Sequence, residues 1–485
     1  MSDGLLGNVF WSISSRWLSR LIGVISTLIL VRVLTPEDFG IVALASVFVG
    51  LVEVMLELGV AAALIQNREA TRDHFDTAWT FSVIQSAAAG LVISCSAPLV
   101  AHYYGDPRIA TLLVVMGVSS AIQGWENIGV VSFQRELNFK TDFNFQLIKR
   151  VSGFVVTIGL AIVLHDYWAL VFGTLFARLI GVGVSFWICD FRPKFSLAQK
   201  TEIWSFSKWV IVRSVGGYLD DQFHRLVVGK TETTRVLGVY TVSGEISAMP
   251  TSELLMPIGR VLFPAFSMYK NDSRRLLESY LLSLRVQVLL AIPLSVGLAS
   301  VADNAVPVLL GNDWGDAVIL IKILSLYGFV HAIGYSGAYL LTALGKIRVL
   351  AIMPWLFFSL FLGGVLILDD PSAINIAVLR LALGVLNIFA FFWLVMRVLH
   401  GLVWRDLLAS CWRPIAAAAI MAVFVVELGV TLEWSLILEL FCQIALGGFI
   451  YCATVLLLWY ASGRPSGAEE YIIDKIRLYY RTAAN

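Results

Sequence analysis

Arginine residues recur within long apolar stretches of this 485-residue sequence, where a charged side chain is costly. An ionisable residue at the centre of a membrane helix costs about 2.5–3.5 kcal/mol on insertion scales, so each one is a candidate for function. Arg16 and Arg20 share a helical face because they are spaced i and i+4. Arg213, Arg260 and Arg285 lie in later apolar stretches. Together these five residues predict a cationic cavity that binds a substrate.

Structural roles are the alternative for several of these cations. Arg16 could extend to the membrane interface, or pair with Glu57, instead of facing a cavity. Arg285, like the mid-span Arg178, could be a hydrogen-bond anchor within one helix bundle. Arg20 and Arg213 are therefore the first candidates for a substrate path.

Carboxylates lie in the same kind of apolar stretch. Glu53 and Glu57 are spaced i and i+4, and Asp220 and Asp221 are adjacent. Such groups could bind a proton or Na⁺ and couple its entry to substrate release, or gate a cavity. Equally, they could form ion pairs within the membrane. The i+4 partners on the same helix would be His224 for Asp220 and Arg225 for Asp221.

The composition indicates what kind of protein must position these groups. Hydrophobic residues make up 58% of the chain and charged residues 14%, with a mean hydropathy of +0.82. Soluble proteins carry about 25% charged residues. The net charge of +1 argues against a nucleic-acid partner, and the dispersed Cys and His residues predict no metal site. The chain is therefore predicted to be an all-α integral membrane protein.

The apolar stretches predict about fourteen membrane spans of the length that a bilayer requires. Their expected positions are 9–33, 39–65, 76–103, 109–133, 142–164, 167–189, 204–229, 236–263, 277–301, 316–343, 347–368, 374–396, 414–431 and 434–460.

The loops between these spans differ in charge. One alternate set carries fourteen Lys and Arg residues, and the opposite set carries only Arg32, Arg108, Lys230 and Arg235. Short cytoplasmic loops are enriched in Lys and Arg. This asymmetry predicts that both termini are cytoplasmic.

An internal repeat divides the chain. With a shift of 193 residues, Trp11 aligns with Trp204 and Arg20 with Arg213. When the shift is increased by five residues, Gly40 aligns with Gly238. Six spans in each copy predict a parallel repeat, which transporters use to build two lobes around a cavity.

The expected organisation follows from the repeat. Its parts are an N-terminal six-helix lobe at 1–198, a C-terminal six-helix lobe at 199–400, an extra helix pair at 401–463 and a cytoplasmic amphipathic tail at 464–485. In the tail, Ile472, Ile473 and Ile476 would form an apolar face on the anionic leaflet.

Several local sequences carry a family resemblance. They are Arg20-Leu21 through Thr35-Pro36-Glu37-Asp38-Phe39-Gly40, Glu57-Leu58-Gly59, Phe133-Gln134-Arg135-Glu136-Leu137-Asn138-Phe139, Pro257 through Ser267, and Ala343-Leu344-Gly345-Lys346. With the arrangement of spans, they resemble Wzx-type polysaccharide flippases of the MOP exporter superfamily, in particular the WzxC-like branch. The resemblance covers about 460 residues.

This resemblance implies a transporter and not an enzyme. The implied substrate is an undecaprenyl-diphosphate-linked oligosaccharide, moved by alternating access from the cytoplasmic to the periplasmic leaflet of a bacterial inner membrane for surface polysaccharide synthesis. Membrane lipids, a polysaccharide polymerase and glycosyltransferases are the expected partners. No cofactor is expected apart from a coupled H⁺ or Na⁺.

Other functions fit the sequence less well. An ATP-driven exporter would need a phosphate-binding loop, and the nearest match, Gly229-Lys230-Thr231, has His224 where the first glycine is required. The serious alternative is an ion-coupled exporter of drugs or cations from the same superfamily, which would prefer a cavity rich in carboxylates.

Overall fold

The computed structural model describes residues 2–67, 69–136, 138–431, 435–465, 467–471, 474–475 and 477. Within these ranges it describes the side chains of all residues except 2–16, 19, 201–210, 252–261, 332, 347 and 428–431.

All regular structure in these ranges is helical. The helices are α1 (Ser2–Val33), α2 (Pro36–Leu56), α3 (Val60–Gln66), α4 (Arg72–Tyr104), α5 (Arg108–Gln123), α6 (Val131–Arg135), α7 (Phe139–Leu164), α8 (Trp168–Ile188), α9 (Lys200–Thr231), α10 (Thr234–Met268), α11 (Ser273–Leu309), α12 (Ala317–Ala343), α13 (Ile347–Ile367), α14 (Ala373–Val398), α15 (Trp404–Thr431) and α16 (Leu436–Ala461).

The chain is a multi-pass membrane protein, as predicted. Ten helices of the described part are long and apolar enough to cross a bilayer, and an eleventh span is counted if a bent pair is taken as one. The predicted number of fourteen stays a prediction.

A reciprocal cap fixes the start of α2. The Thr35 hydroxyl accepts from the Asp38 amide at 3.3 Å, and the Asp38 carboxylate accepts from the Thr35 amide at 2.9 Å. Pro36 occupies the first turn, where its missing amide proton costs nothing. The Thr-Pro-Glu-Asp segment therefore begins a helix at a defined residue.

Two predicted spans are interrupted in the structure. The span expected at 39–65 ends at Leu56, because Glu57 has an extended backbone and Gly59 is left-handed at φ 62°. The span expected at 109–133 bends by 64° between Gln123 and Ile128. Glu57 is therefore the cap residue at the end of α2 and not part of a continuous span, although it follows Glu53 by one turn.

The segment between α8 and α9 is extended and is held against one face of α4. The amides of Lys194 and Ser196 donate to Asp76 at 2.8 Å and to Thr80 at 2.9 Å. Phe195 packs on Trp79 with ring centroids 4.8 Å apart. We call residues 190–199 the linker strap; its hydrogen bonds fix an otherwise irregular backbone to the helix.

By its contacts the chain forms two compact units, Met1–Gly238 and Val239–Asn485. Because α9 packs on α2, it belongs to the first unit. The lobe boundary predicted at residue 198 stays a prediction.

In the second unit, α11 supplies the core. Tyr280, Leu284, Val288 and Ile292 are buried at helical spacing. The start of the tail also belongs to this unit, because Glu469 forms a buried ion pair of 2.9 Å with Arg413 of α15. The apolar residues expected on the tail's membrane face, Ile472, Ile473 and Ile476, lie outside the described residues.

Candidate functional site

A cavity of about 740 Å³ lies inside the first unit, beside both interrupted spans. Glu57 and Gly59 at the end of α2 line it, and so do Gly124 and Asn127 at the end of α5. Non-helical backbone within a membrane protein is tolerated where it lines a hydrated cavity, and discontinuous helices mark binding sites in transporters. The two breaks therefore identify this cavity as the candidate site.

Three helices each direct a polar face into the cavity. Ser82, Gln85 and Ser86 lie at helical spacing on α4, Ser120 and Gln123 on α5, and Asp142, Gln146 and Lys149 on α7. Tyr218 of α9 and Gln134 of α6 complete the polar lining. Amides, hydroxyls and carboxylates of this kind bind the hydroxyl groups of a polar ligand.

Some of these polar groups support the backbone breaks. Gln85 accepts a hydrogen bond from the amide of Leu58 at 3.2 Å. Asn127 accepts from the Gly129 amide at 2.9 Å and donates to the carbonyl oxygen of Phe191 at 2.7 Å. These bonds satisfy groups that would otherwise be left unpaired when the helix stops.

Two ion pairs cross the membrane part of this unit. Arg178 of α8 donates to Glu53 of α2 at 3.1 Å, and Lys149 of α7 donates to Glu126 at 2.6 Å. The side chains are a fifth to a third exposed, so the pairs face the cavity and are not sealed in protein. Each pair ties an interrupted span to a continuous helix.

The cavity wall carries more negative than positive charge. Among the described residues, four carboxylates line it, those of Glu53, Glu57, Glu126 and Asp142, against one cation, Lys149. Arg178, which does not line the cavity, neutralises the charge of Glu53 by an ion pair. Within the described chain, Glu57 and Asp142 form no ion pair, although Gln134 approaches Asp142 at 3.4 Å. Two carboxylates therefore stay uncompensated in the cavity.

The predicted cationic residues lie elsewhere among the described side chains. Arg20 is half-buried on α1 and Arg213 is exposed on α9, and neither lines this cavity. Arg285 belongs to the second unit, where it donates to Ser410 at 3.3 Å. The side chains of Arg16 and Arg260 lie outside the described residues. A substrate role for these arginines stays a prediction.

Only two of the four predicted carboxylates lie at this cavity. Glu53 and Glu57 line the cavity, but Asp220 and Asp221 do not. The carboxylate of Asp221 accepts a hydrogen bond from the Gln222 amide at 2.7 Å. The backbone carbonyl oxygen of Asp221 lies 2.9 Å from the ring nitrogen Nε2 of His224. Arg178 donates to Glu53 within the same unit, which agrees with its alternative role as an anchor within one helix bundle.

Sequence reasoning missed Gln123, Asp142 and Gln146. The signal was available in the helical spacing of polar residues, which is i, i+4 and i+7 for Asp142, Gln146 and Lys149.

The family model described as "Polysaccharide biosynthesis protein" matches residues 29–319. Lipopolysaccharide biosynthesis protein WzxC of Escherichia coli (strain K12) is 22% identical over 439 residues, which cover 88% of each chain. Succinoglycan biosynthesis transport protein ExoT of Rhizobium meliloti (strain 1021) is 24% identical, covering 93% of this chain and 92% of its own.

Solved structures share the fold. A structure of the lipid II flippase MurJ in an inward closed conformation aligns with a TM-score of 0.74 at 13% identity, covering 94% of this chain and all of its own. An inward-facing multidrug resistance MATE transporter of the MOP superfamily aligns at 0.62 and 14% identity, covering 78% of this chain and 95% of its own. The predicted fold class, an all-α membrane bundle with the fold of these transporters, is confirmed, whereas the number of fourteen helices is not.

Proposed function

The chain belongs to the Polysaccharide biosynthesis protein family, and on that premise we propose that it is a flippase for a lipid-linked oligosaccharide. It carries an undecaprenyl-diphosphate-linked repeat unit from the cytoplasmic to the periplasmic leaflet of the inner membrane, for surface polysaccharide synthesis. Relatives named for lipopolysaccharide and succinoglycan biosynthesis support this assignment.

The polar cavity at the two helix breaks is the observation that carries the proposal. The polyprenyl tail can stay in lipid, whereas the sugars need hydrogen-bond partners while they cross the hydrocarbon layer. The amides of Gln123 and Gln146 line the cavity and make no hydrogen bond within the described part of the chain. They can therefore donate to and accept from sugar hydroxyls.

We assign this cavity to the sugar and not to the diphosphate because of its charge. Glu57 and Asp142 would repel phosphate, but each can accept hydrogen bonds from sugar hydroxyls or from an amino sugar. Arg20 and Arg213 stay the proposed ligands of the diphosphate. A uronic acid at this position would meet two uncompensated carboxylates and is disfavoured.

One observation favours the alternative, a drug or cation exporter, because the cavity wall is richer in carboxylates than in cations. Two of the four carboxylates are already neutralised by Arg178 and Lys149, however. The family and the named relatives support polysaccharide transport instead.

Proteoliposomes loaded with a fluorescent undecaprenyl-diphosphate oligosaccharide test the proposal. A membrane-impermeant quencher reports how much substrate reaches the outer leaflet. Gln123→Ala and Gln146→Ala should each slow transport about fivefold, the effect of one lost hydrogen bond of about 1 kcal/mol. The matched control is Gln66→Ala, because Gln66 is exposed and outside the cavity lining. Transport of a fluorescent organic cation, with no transport of the lipid-linked sugar, would replace this function by the alternative.

A further inference from the structure

Two glycines meet where the first turns of α2 and α10 cross. A Cβ added to Gly40 would overlap the carbonyl oxygen of Thr234, and one added to Gly238 would overlap the carbonyl oxygen of Pro36. Each added Cβ would also lie 2.9 Å from the amide nitrogen of the other glycine. Backbone atoms, unlike the end of a flexible side chain, cannot turn aside. The helices touch at this closeness only because both residues lack a side chain.

The contact is reciprocal in the register of the internal repeat. Gly40 aligns with Gly238 at a shift of 198 residues, and the same shift takes Pro36 to Thr234. Gly40 therefore contacts Thr234, and its repeat mate Gly238 contacts Pro36, which is the repeat mate of Thr234. This exchange of equivalent contacts is what an internal two-fold axis imposes on residues that lie beside it. The local contact is therefore equivalent on its two sides in the register of the repeat.

Further contacts follow along α2 from this crossing toward the C-terminal end of the helix. A Cβ at Gly229 of α9 would lie 2.8 Å from Leu44, and the Tyr218 hydroxyl donates to the Val47 carbonyl oxygen at 2.9 Å. That hydroxyl also fills the space beside Gly50. Gly40 and Gly50 are ten residues, or about 15 Å, apart on the helix. We call this column of contacts, from Gly40 and Gly238 to Gly50 and Tyr218, the seal.

The seal ends where the cavity begins. Gly50 and Tyr218 belong to both, and Glu53 lines the cavity one turn further along α2. The other end of the seal lies at the α1–α2 and α9–α10 turns. These turns belong to the loops poor in Lys and Arg, which the charge asymmetry places outside the cytoplasm. The seal therefore separates the cavity from the outer side.

We propose that the seal is the outer gate of the transport cycle, and that Gly40 and Gly238 let it close backbone to backbone. It is closed in this structure, and the α2–α10 crossing parts when cargo leaves. Tyr218 is the innermost element of the gate, seated on Gly50. The proposal rests on the proposed function, because an outer gate has a role only in a protein that moves a ligand outwards.

Accessibility of the cavity from outside tests the gate without any substrate. The reporter is Ala62→Cys, a cavity-lining position, in a chain whose five native cysteines are replaced by serine. Right-side-out vesicles are treated with a membrane-impermeant maleimide. Gly40→Ala or Gly238→Ala forces the crossing apart and should raise the rate of labelling about tenfold, because the open state is then favoured. The double variant should add little to either single one, since both act on one contact.

The matched control is Gly217→Ala on the same helix as Tyr218, where an added Cβ would meet nothing within 4 Å. It should leave the labelling rate unchanged. If the other glycine variants fail to fold, as judged by size-exclusion chromatography, Tyr218→Phe removes only the hydroxyl and should raise labelling about threefold.

Unchanged labelling in folded Gly40→Ala and Gly238→Ala protein would mean that the crossing is a fixed pivot, and would overturn the gate. Unchanged labelling in Tyr218→Phe would overturn it equally where the glycine variants do not fold. Faster labelling in a protein that moves no lipid-linked sugar would support the gate and refute the proposed function, so the two failures are distinguishable.

Discussion

Arg178 on α8 places both terminal guanidinium nitrogens 3.1 Å from the same carboxylate oxygen of Glu53 on α2. Ser120 on α5 donates to that oxygen as well, at 2.8 Å. Three donors from two other helices thus converge on one acceptor. Glu53 therefore links α2 to α5 and α8 by hydrogen bonds, and Arg178 neutralises its charge in the absence of a ligand.

The Glu53–Arg178 pair should behave as a unit in stability measurements. Arg178→Ala leaves a carboxylate in a largely apolar bundle, so it should lower the midpoint of thermal unfolding in detergent by several degrees. Glu53→Gln in that background should recover part of the loss, because the unpaired charge is gone. Arg348→Ala, an exposed arginine on α13, is the control. Strict additivity of the two single changes would show that the pair has no coupling energy.

Ion coupling, if it operates through this cavity, should depend on Glu57 more than on Glu53. Glu57 lines the cavity and has no ion-pair partner among the described residues, whereas Glu53 is held by Arg178. Glu57→Gln should impair transport driven by an imposed pH gradient more than exchange without one, because it mimics permanent protonation. Transport in vesicles that is indifferent to both proton and Na⁺ gradients would remove ion coupling altogether.

Arg20 and Arg213 should be needed for the diphosphate. Ala at either position should abolish transport while the protein stays in the membrane. Lys should retain part of the activity, because the charge survives but the planar guanidinium that matches phosphate does not. The measurement is the quencher assay described above, with membrane-inserted protein quantified by blotting. Full activity in both Ala variants would exclude the assignment.

The turn between α4 and α5 should be sensitive to acid. Arg108 donates to the carboxylate of Asp106 and holds the pKa of that group below its ordinary value of 3.8. A lowered pKa means that the stabilisation is present at neutral pH and is lost as pH falls through the lowered value. Asp106→Asn should therefore be less stable than the parent at pH 7, and the difference should shrink below about pH 4. Asp369→Asn, in another exposed turn, should show no such pH dependence in thermal unfolding.

The tail should be released when its buried ion pair is broken. The side chains of Glu469 and Arg413 are each 6% exposed, so removing one partner leaves an uncompensated buried charge that costs about 3–5 kcal/mol. Glu469→Ala should therefore accelerate tryptic cleavage after Lys475 and Arg477. The neighbouring Glu470→Ala is the control, because Glu470 is exposed. Equal cleavage rates in the two variants would show that the pair does not hold the tail.

Hydropathy was sufficient to predict the class of fold and most helix positions, because a bilayer dictates the length of an apolar span. It failed at the breaks after Leu56 and Gln123, where only a few polar residues, among them Glu57, Glu126 and Asn127, interrupt otherwise apolar stretches. Those breaks depend on a left-handed Gly59 and on side chains such as Gln85 and Asn127, which satisfy the exposed backbone from other helices. A single run of sequence does not contain that information.

The candidate site was predictable only in part. Glu53 and Glu57 were found because a carboxylate in an apolar run is conspicuous. The partnership of Glu53 with Arg178 spans 125 residues of sequence and could not be read from local spacing. The arginines predict a cationic cavity, but the charged residues that line the cavity of the first unit, among those described, are four carboxylates and one lysine.

The linker strap has a consequence for the order of synthesis. Its hydrogen-bond partners on α4, including Asp76 and Thr80, all precede it in the chain. A nascent polypeptide that has emerged as far as residue 199 thus already contains every group that fastens the strap. The first eight helices can leave the translocation machinery with their last loop tied down, before α9 arrives to lie against α2. Because the strap binds a helix that precedes it in the chain, the N-terminal part can assemble before the rest is synthesised.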